Sequence, residues 1–180
     1  KALVDPAIAA HRSRIVKSTG SRILVEFASA VDAVRSAVEL QRGMAEQNAA
    51  VPPDQRIEFR IGLHVGDIIF DENDIFGDGV NVAARLEALA DPGGICVSRN
   101  VRDQVLDKLS FAFEDLGAQE VKNIARPVDV YRVSLDAEAP AHTVPRPEQR
   151  PTRLAKGRWR PAHALVPVAV VLVVGLGIWT

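Results

Sequence analysis

Two polar side chains four residues apart, Asn81 and Arg85, form the most informative candidate site in the sequence. The segment from about Val80 to Ala90 is predicted to be a helix, so residues at this spacing share one face. An amide and a guanidinium on the first turns of a helix suit an anionic phosphate, because arginine offers two parallel donors and keeps its charge when buried. On this pattern alone, however, a helix with a solvated Arg and an Asn near its N-terminus is the better interpretation.

The loop before this helix contains Gly77 and Gly79, which suits a sharp turn or a close approach to a ligand. Two other phosphate-binding motifs are excluded. The sequence has no Gly-x-x-x-x-Gly-Lys-Ser/Thr loop, and Val82 stands where a dinucleotide-binding fingerprint needs its third glycine. The acidic segment 71–74 lacks the ligand spacing of a calcium loop.

Charge separates an acidic globular part from a basic tail. Residues 1–141 hold 16 basic and 22 acidic groups, whereas residues 142–160 hold six basic groups and one acidic group. An acidic domain is a poor nucleic-acid binder, because neutralising phosphates needs clustered Lys and Arg. The single cysteine, Cys96, lies in an apolar stretch and is predicted to be buried, and the four histidines lack metal-ligand spacing.

The elements that must position the site begin with two short strands, 14–17 and 23–27, joined by a turn at Gly20. Apolar residues recur at helical spacing between Ala30 and Asn48, which predicts an amphipathic helix. Residues 57–64 alternate between apolar and polar or small residues, as a half-buried strand does. We expect residues 66–70 to form a second strand that pairs with it as a hairpin.

The rest of the domain continues this mixture of strands and helices. After the loop 71–79 and the site helix, a short buried strand is predicted at 95–97 and a helix capped by Ser98 runs to about Lys108. Further strands are predicted at 111–116 and 128–133. Hairpins mixed with helices indicate an α+β fold with a largely antiparallel sheet.

The C-terminal part of the sequence is predicted to cross a membrane. No residue from Pro161 to Thr180 is formally charged, and Trp159 and Trp179 flank the apolar run. A helix of that length reaches about 30 Å, the thickness of a bilayer's hydrocarbon core. Residues 136–160, basic and rich in proline, are predicted to be a linker, and their charge places the domain before them in the cytoplasm.

Several segments in order resemble the class III adenylate and guanylate cyclases. The signature lies at the candidate site, with supporting segments on both sides: Val16-Lys17-Ser18-Thr19-Gly20, Phe59-Arg60-Ile61-Gly62-Leu63-His64-Val65-Gly66, Asp74-Ile75-Phe76-Gly77-Asp78-Gly79-Val80-Asn81-Val82-Ala83-Ala84-Arg85, Pro92-Gly93-Gly94-Ile95 and Val121-Lys122-Asn123-Ile124. The similarity covers about residues 1–134. It implies a ferredoxin-like catalytic domain over residues 1–135, with its first strand upstream of Lys1, followed by the linker and a truncated membrane helix over 161–180.

The resemblance also implies an activity and the residues for it. The family converts a nucleoside triphosphate to its 3′,5′-cyclic monophosphate and pyrophosphate at a site between two catalytic domains, with two Mg²⁺ or Mn²⁺ ions. Lys17 and Asp74 match the pair that reads the adenine edge, so ATP is the implied substrate. Asn81 matches the residue that orients the ribose, and Arg85 the residue that stabilises charge on the phosphorus in the transition state.

The metal half of the family pattern is missing. One metal-binding Asp is expected upstream of Lys1, and the second is expected after Gly20, where this sequence has Ser21 followed by Arg22. Ser is a weak neutral ligand, and Arg22 adds positive charge near the expected cations. Three hypotheses follow: an adenylate cyclase, working alone or with a complementary partner domain; a degenerate cyclase domain that binds nucleotide or a partner and regulates without turnover; and a membrane-anchored interaction module without a nucleotide site.

Overall fold

The computed structural model describes most of residues 11–138 and one C-terminal segment. The described residues are 11, 13–19, 22–66, 69–71, 74–120, 126–138 and 169–177. For Thr19 and for 69–71, 74–76, 136–138 and 169–177, the description is of the backbone only. The predicted helix end at 1–11 and the family segment 121–124 lie almost wholly outside the described residues.

The chain first forms an antiparallel hairpin of strands β1 (Ser13–Thr19) and β2 (Arg22–Phe27), as predicted. Along β2 the side chains alternate between the two faces of the sheet. Val25 and Phe27 are completely buried on one face, where they join the main hydrophobic core. Leu24 is buried on the other face, against a different cluster. The hairpin therefore contributes to both sides of the sheet.

Helix α1 (Ala30–Asn48) has the bounds that the apolar periodicity predicted. The Ser29 side chain accepts a hydrogen bond from the Asp32 backbone N–H, which caps the first turn. Its apolar stripe includes Val34, Val38 and Leu40, all almost fully buried. After a short 3₁₀ turn, the chain enters β3, so α1 is a crossover between two strands of the same sheet.

Strand β3 (Glu58–Gly66) is longer than predicted, and its predicted hairpin partner is wrong. Residues 66–70 do not pair back onto it. Instead, β4 (Ile69–Asp71) pairs with β5 (Asp74–Phe76) as a separate two-stranded sheet. The two strands that pair with β3 come from later parts of the chain, residues 95–98 and 169–177. Alternation of residue types identifies a strand but carries no information about its partner, which is why the prediction failed.

The second half of the domain consists of α2 (Asp78–Leu89), β6 (Ile95–Ser98), α3 (Arg99–Val105), β7 (Phe111–Gln119) and β8 (Val128–Glu138). All five elements were predicted. The observed strands are longer than the predicted ones, and α3 ends at Val105, earlier than the predicted end near Lys108. Strand β8 includes residues 136–138, the first three residues of the predicted linker; residues 139–168 lie outside the described residues. Ser98 occupies the N-cap position of α3 but makes no side-chain cap, because its hydroxyl is bonded to His64.

The last described strand, β9 (Ala169–Gly177), corrects the prediction of a helix over 161–180. It lies between β2 and β3 and is antiparallel to both. A strand at the centre of a sheet reads as a continuous apolar run, and the Val-rich sequence suits that position as well as it suits a membrane helix. Within the described part of the chain, no helix has the length and apolar character needed to span a membrane.

Seven strands form one sheet in the order β1-β2-β9-β3-β6-β8-β7. Only the β3–β6 pair is parallel among the described strands, which confirms a largely antiparallel α+β sheet. The unit β2–α1–β3, with one strand inserted between its two strands, is the split β-α-β arrangement of ferredoxin-like folds. Helices α1 and α3 cover the main core on one face, and α2 packs on the other face around Val82, Leu86 and Cys96.

Candidate active site

The candidate site begins at the turn that leads into α2. Gly77 precedes the helix with a φ of 131°, a conformation that residues with a side chain rarely adopt. Asp78 lies in the first turn, where a carboxylate interacts favourably with the helix dipole. The sharp turn expected from the glycines is therefore present at Gly77, and α2 begins directly after it.

Asn81 and Arg85 lie together on the outer face of α2. Both residues are exposed, whereas Val82, Leu86 and Glu87 on the inner face are buried. The side chains of Asn81 and Arg85 make no hydrogen bond or ion pair with another described residue. The helix thus presents an amide and a guanidinium to solvent, ready for a ligand from outside this part of the chain.

Helix α2 approaches β3 very closely because glycines line the strand. A Cβ atom on Gly62 would lie 2.2 Å from the Ala83 carbonyl oxygen and 2.3 Å from the Glu87 backbone nitrogen. A Cβ on Gly66 would meet the His64 side chain at 2.8 Å and the Gly79 Cα atom at 3.4 Å, the latter an ordinary contact distance. At Gly62 the helix therefore rests directly on the backbone of β3, a close approach that only glycine permits.

A β-bulge in β1 places Lys17 on the same face of the sheet as α2. Ile15 pairs with Val25, but the next pair is Lys17 with Leu24, so the strand has one extra residue at this point. Directly paired residues of neighbouring strands share a face, and Leu24 packs against Ala83 of α2. Without the bulge, Lys17 would face Ile23 on the α1 side. Bulges often re-aim a side chain beside an active site.

An apolar cluster holds the β1–β2 hairpin against α2. Leu24 and Ala83 are its buried members, and Val16 and Val80 pack on them. Val16 precedes Lys17 directly, and Val80 precedes Asn81 directly. The cluster consequently connects the two strands and the helix that carry three of the four predicted site residues.

Asp74, the fourth predicted site residue, is the first residue of β5. The structure describes the backbone of β5 but not the Asp74 side chain. Residues of β5 come within 8 Å of residues of β1 and of α2, measured between Cα atoms. The elements that carry Lys17, Asp74 and the Asn81–Arg85 pair therefore meet at one end of the sheet.

The position of the missing metal ligand is bordered by an ion pair that the sequence did not predict. Ser21 lies outside the described residues, but the Arg22 Nε atom is 3.3 Å from Oε2 of Glu87 on the inner face of α2. Burial raises the pKa of the Glu87 carboxyl, against the opposite influence of Arg22 and Arg60. The positive charge of Arg22 is thus directed at a carboxylate of the same chain. Among the described residues, no group of three or more His, Cys, Asp or Glu side chains could hold a metal ion.

His64 adds a half-buried titratable group on the α2 face of β3. Its Nδ1 atom is hydrogen-bonded to the Ser98 hydroxyl at 2.9 Å. Burial lowers the pKa of His64 to about 4, so the imidazole is neutral near pH 7. Cys96 is buried as predicted, and burial raises the pKa of its thiol to about 11. Neither group is poised as a nucleophile or a proton donor at neutral pH.

A split β-α-β sheet that carries an exposed Asn–Arg pair on a glycine-seated helix defines a domain of the nucleotide cyclase type. Residues 2–134 match the model of the adenylate and guanylate cyclase catalytic domain. The chain belongs to this family, which confirms the resemblance seen in its motifs. Cyclase domains of the family bind nucleotides and act as dimers.

Relatives with known sequences or structures agree with this assignment. The chain is 47% identical to the Rhizobium meliloti protein named "Putative adenylate cyclase 3" over 131 residues, which are 73% of this chain and 22% of that protein. It is 49% identical to the crystal structure of an adenylate/guanylate cyclase/hydrolase from Silicibacter pomeroyi, with a TM-score of 0.72 over 75% of this chain and 80% of that one.

A more distant structure is informative because of its ligand. The catalytic core of a rhodopsin-guanylyl cyclase with converted specificity, solved in complex with ATPαS, is 26% identical, with a TM-score of 0.60 over 73% of this chain and 75% of that one. The present chain matches 22% of the length of the Rhizobium protein, about a fifth.

Proposed function

We propose that this domain is an adenylate cyclase that converts ATP to 3′,5′-cyclic AMP and pyrophosphate. In this reaction the ribose 3′-oxygen bonds to the α-phosphorus, the bond from that phosphorus to the pyrophosphate oxygen breaks, and the 3′-hydroxyl proton is lost. The observation that carries the proposal is the convergence of β1, β5 and α2, the three elements that hold the four candidate residues. The Rhizobium meliloti relative named "Putative adenylate cyclase 3" supports it.

The residues of this chain would recognise adenine through Lys17 and Asp74. The lysine ammonium can only donate hydrogen bonds and an ionised carboxylate can only accept them. Adenine offers a ring-nitrogen acceptor and a 6-amino donor on one edge, whereas guanine presents the reverse pattern at those positions. The pair therefore favours ATP over GTP, provided that Asp74 is directed toward the base.

Asn81 and Arg85 would act on the ribose and the phosphate. Asn81 orients the ribose so that its 3′-oxygen faces the α-phosphorus, which contributes through positioning. Arg85 places a fixed positive charge beside the non-bridging oxygens, where negative charge grows during the displacement. The exposure of both side chains supports a site completed by a second cyclase domain, in a homodimer or a heterodimer.

Divalent metal ions, Mg²⁺ or Mn²⁺, are the family's usual cofactor and supply charge stabilisation when bound. The described residues of this chain do not fit that role, because they contain no cluster of acidic ligands and Ser21 stands at the expected Asp. We therefore assign no step to a metal held by this chain. The same observation favours a second candidate function, a nucleotide-binding domain that regulates a partner cyclase without turnover.

The test is cyclic AMP formation from ATP with Mg²⁺ or Mn²⁺, measured beside GTP as the alternative substrate and beside a Ser21→Asp variant. Turnover of ATP by the parent protein supports the enzyme. A silent parent with an active Ser21→Asp variant identifies an intact fold that lacks one metal ligand. Silence from both, with retained binding of a fluorescent ATP analogue, supports the regulatory function. A clear preference for GTP would contradict the assignment of Lys17 and Asp74.

We also propose that the domain works at the cytoplasmic face of a membrane. The support is the uncharged run 161–180 and the basic segment before it, which anionic headgroups attract. Membrane attachment requires residues 169–177 to leave the sheet position of β9. Fractionation of cells that express the complete protein, with and without residues 161–180, measures this: a soluble parent protein would overturn the proposal.

A further inference from the structure

Glu87 is a buried carboxylate on the inner face of α2. Its side chain is 7% exposed, and a charged group at such a depth is costly unless oppositely charged groups surround it. Two arginines provide that charge: Arg22 by direct contact and Arg60 by its proximity. The nucleotide chemistry described above uses none of these three residues.

The alternation of side chains along β2 and β3 brings the three charges together. Leu24, two residues from Arg22, packs on α2, and Gly62, two residues from Arg60, lies against α2. Both arginines are therefore on the face of the sheet that α2 covers. The 3.3 Å contact between Arg22 Nε and Glu87 Oε2 joins β2 to α2 directly and does not involve β9. Arg60 Nε and Glu87 Oε2 are both buried without a hydrogen-bond partner among the described residues, so both arginines act on Glu87 through their charge, Arg22 at 3.3 Å.

This cluster lies on the side of α2 opposite to the site. Two residues further along a helix means a rotation of about 200°, so Glu87 faces the sheet while Arg85 faces outward. On the β3 side the helix rests on the backbone at Gly62, which offers no side chain to interlock with it. Apolar contacts with Leu24 and Cys96 hold α2 against the sheet, but such contacts are non-directional. The ion pair of Glu87 with Arg22 ties one point of the helix to one point of β2.

We propose that Glu87 is a positioning residue that, through Arg22 and Arg60, sets the rotation of α2 and hence the aim of Asn81 and Arg85 at the nucleotide. The role rests on the proposed function for its chemical consequence, but the positioning itself is a property of the fold. The proposal also assigns a role to Arg22, which follows Ser21 in the sequence: it anchors α2, the helix that carries Arg85.

The first experiment compares kinetic constants of the Glu87→Gln variant with those of the parent, or of the Ser21→Asp background if only that turns over. Glu87→Gln keeps the shape of the side chain and removes its charge. We expect kcat to fall about tenfold or more while KM changes less than threefold, because remote misplacement weakens transition-state contacts most. In an Arg85→Ala background, the same substitution should cost little more.

Glu26→Gln is the matched control. Glu26 lies on the same strand as Arg22, but its ion pair, at 3.4 Å, is with Arg14 of β1. This control should leave kcat unchanged. Should Glu87→Gln fail to fold, Arg22→Gln removes the other half of the ion pair at a side chain that is 57% exposed. It should lower kcat in the same direction, and an unchanged kcat would overturn the proposal, as would equal losses with and without Arg85.

A second readout does not depend on turnover. A nitroxide label on an Arg85→Cys variant reports the local mobility of α2 by electron paramagnetic resonance, since the buried Cys96 thiol is protected from the reagent. Glu87→Gln should increase the mobility of the label, and Glu26→Gln should not. An unchanged spectrum overturns the proposal whatever the activity. A changed spectrum in a protein that neither binds nor cyclises ATP supports the positioning role while the proposed function fails.

Discussion

The two faces of the central sheet are built on different principles. On the α1 face, large apolar side chains such as Phe27, Ile61 and Leu63 interdigitate and are almost completely buried. On the α2 face, a smaller apolar cluster around Val82, Leu86 and Cys96 is combined with a glycine contact and a buried charge cluster. The helix exposes Asn81 and Arg85 on its other side. One face stabilises the fold through area and packing density. The other face holds α2, the helix that carries Asn81 and Arg85, close to the backbone of β3.

This difference indicates that one strand can stabilise the fold with one face and position the helix of the candidate site with the other. Gly62 and Leu63 are neighbours on β3 and point to opposite faces. A change at Leu63 should alter how much protein is folded, and a change at Gly62 should alter what the folded protein does. The predictions below test this separation, beginning with the largest effect.

Arg85→Ala should lower kcat for cyclic AMP formation by about a hundredfold to a thousandfold, the usual cost of losing one donor to transition-state charge. Its exposure means that the melting temperature should stay within a degree or two of the parent value. Steady-state kinetics and thermal unfolding measure both. Arg35→Ala, an exposed arginine on α1, is the control and should change neither. Equal losses in both variants would assign the effect to net charge.

Leu63→Ala should reduce the free energy of unfolding by about 3 kcal/mol, because it removes apolar volume from a fully buried position and leaves a cavity. The activity per folded molecule should remain that of the parent. Urea unfolding gives the first quantity, and assays corrected for the folded fraction give the second. A fall in corrected activity comparable with that of Gly62→Ala would break the comparison between the faces.

Gly62→Ala adds one methyl group at a point where it would meet the backbone of Ala83 at 2.2 Å. The helix must move, so we expect a loss of stability of about 2 to 3 kcal/mol from overpacking. Activity per folded molecule should fall by a further tenfold or more, since Asn81 and Arg85 move with α2. The same two measurements apply, and a variant with full corrected activity would contradict the close-approach argument.

His64 should make stability depend on pH between about 6.5 and 4. Its folded-state pKa of about 4 lies below the unfolded value of 6.5, so the unfolded chain binds more protons in this window. Stability from this group is therefore complete above pH 6.5 and is lost as the pH falls. The parent should lose about 2 kcal/mol more than His64→Gln between pH 7 and pH 5. Parallel urea titrations measure it, and identical slopes would show that another group dominates.

Prediction from the sequence succeeded where the signal is local. Helix α1 was placed at Ala30–Asn48 because its apolar residues recur at helical spacing, and the structure gives the same bounds. The cyclase motifs gave the family and named the helix face that the structure exposes. Prediction failed for the partner of β3 and for Ser98, whose hydroxyl bonds His64 instead of capping α3. Those outcomes depend on residues far away in the chain.

The amino-acid sequence by itself determined the class of protein, the positions of most helices and strands, and the candidate residues Lys17, Asp74, Asn81 and Arg85, because periodicity and motifs are properties of neighbouring residues. Only the tertiary structure decided that a bulge turns Lys17 toward α2, that residues 169–177 enter the sheet as a strand, and that Glu87 is buried between two arginines. Each of these follows from strand register and from the burial of charge, which long-range contacts set and no local pattern contains.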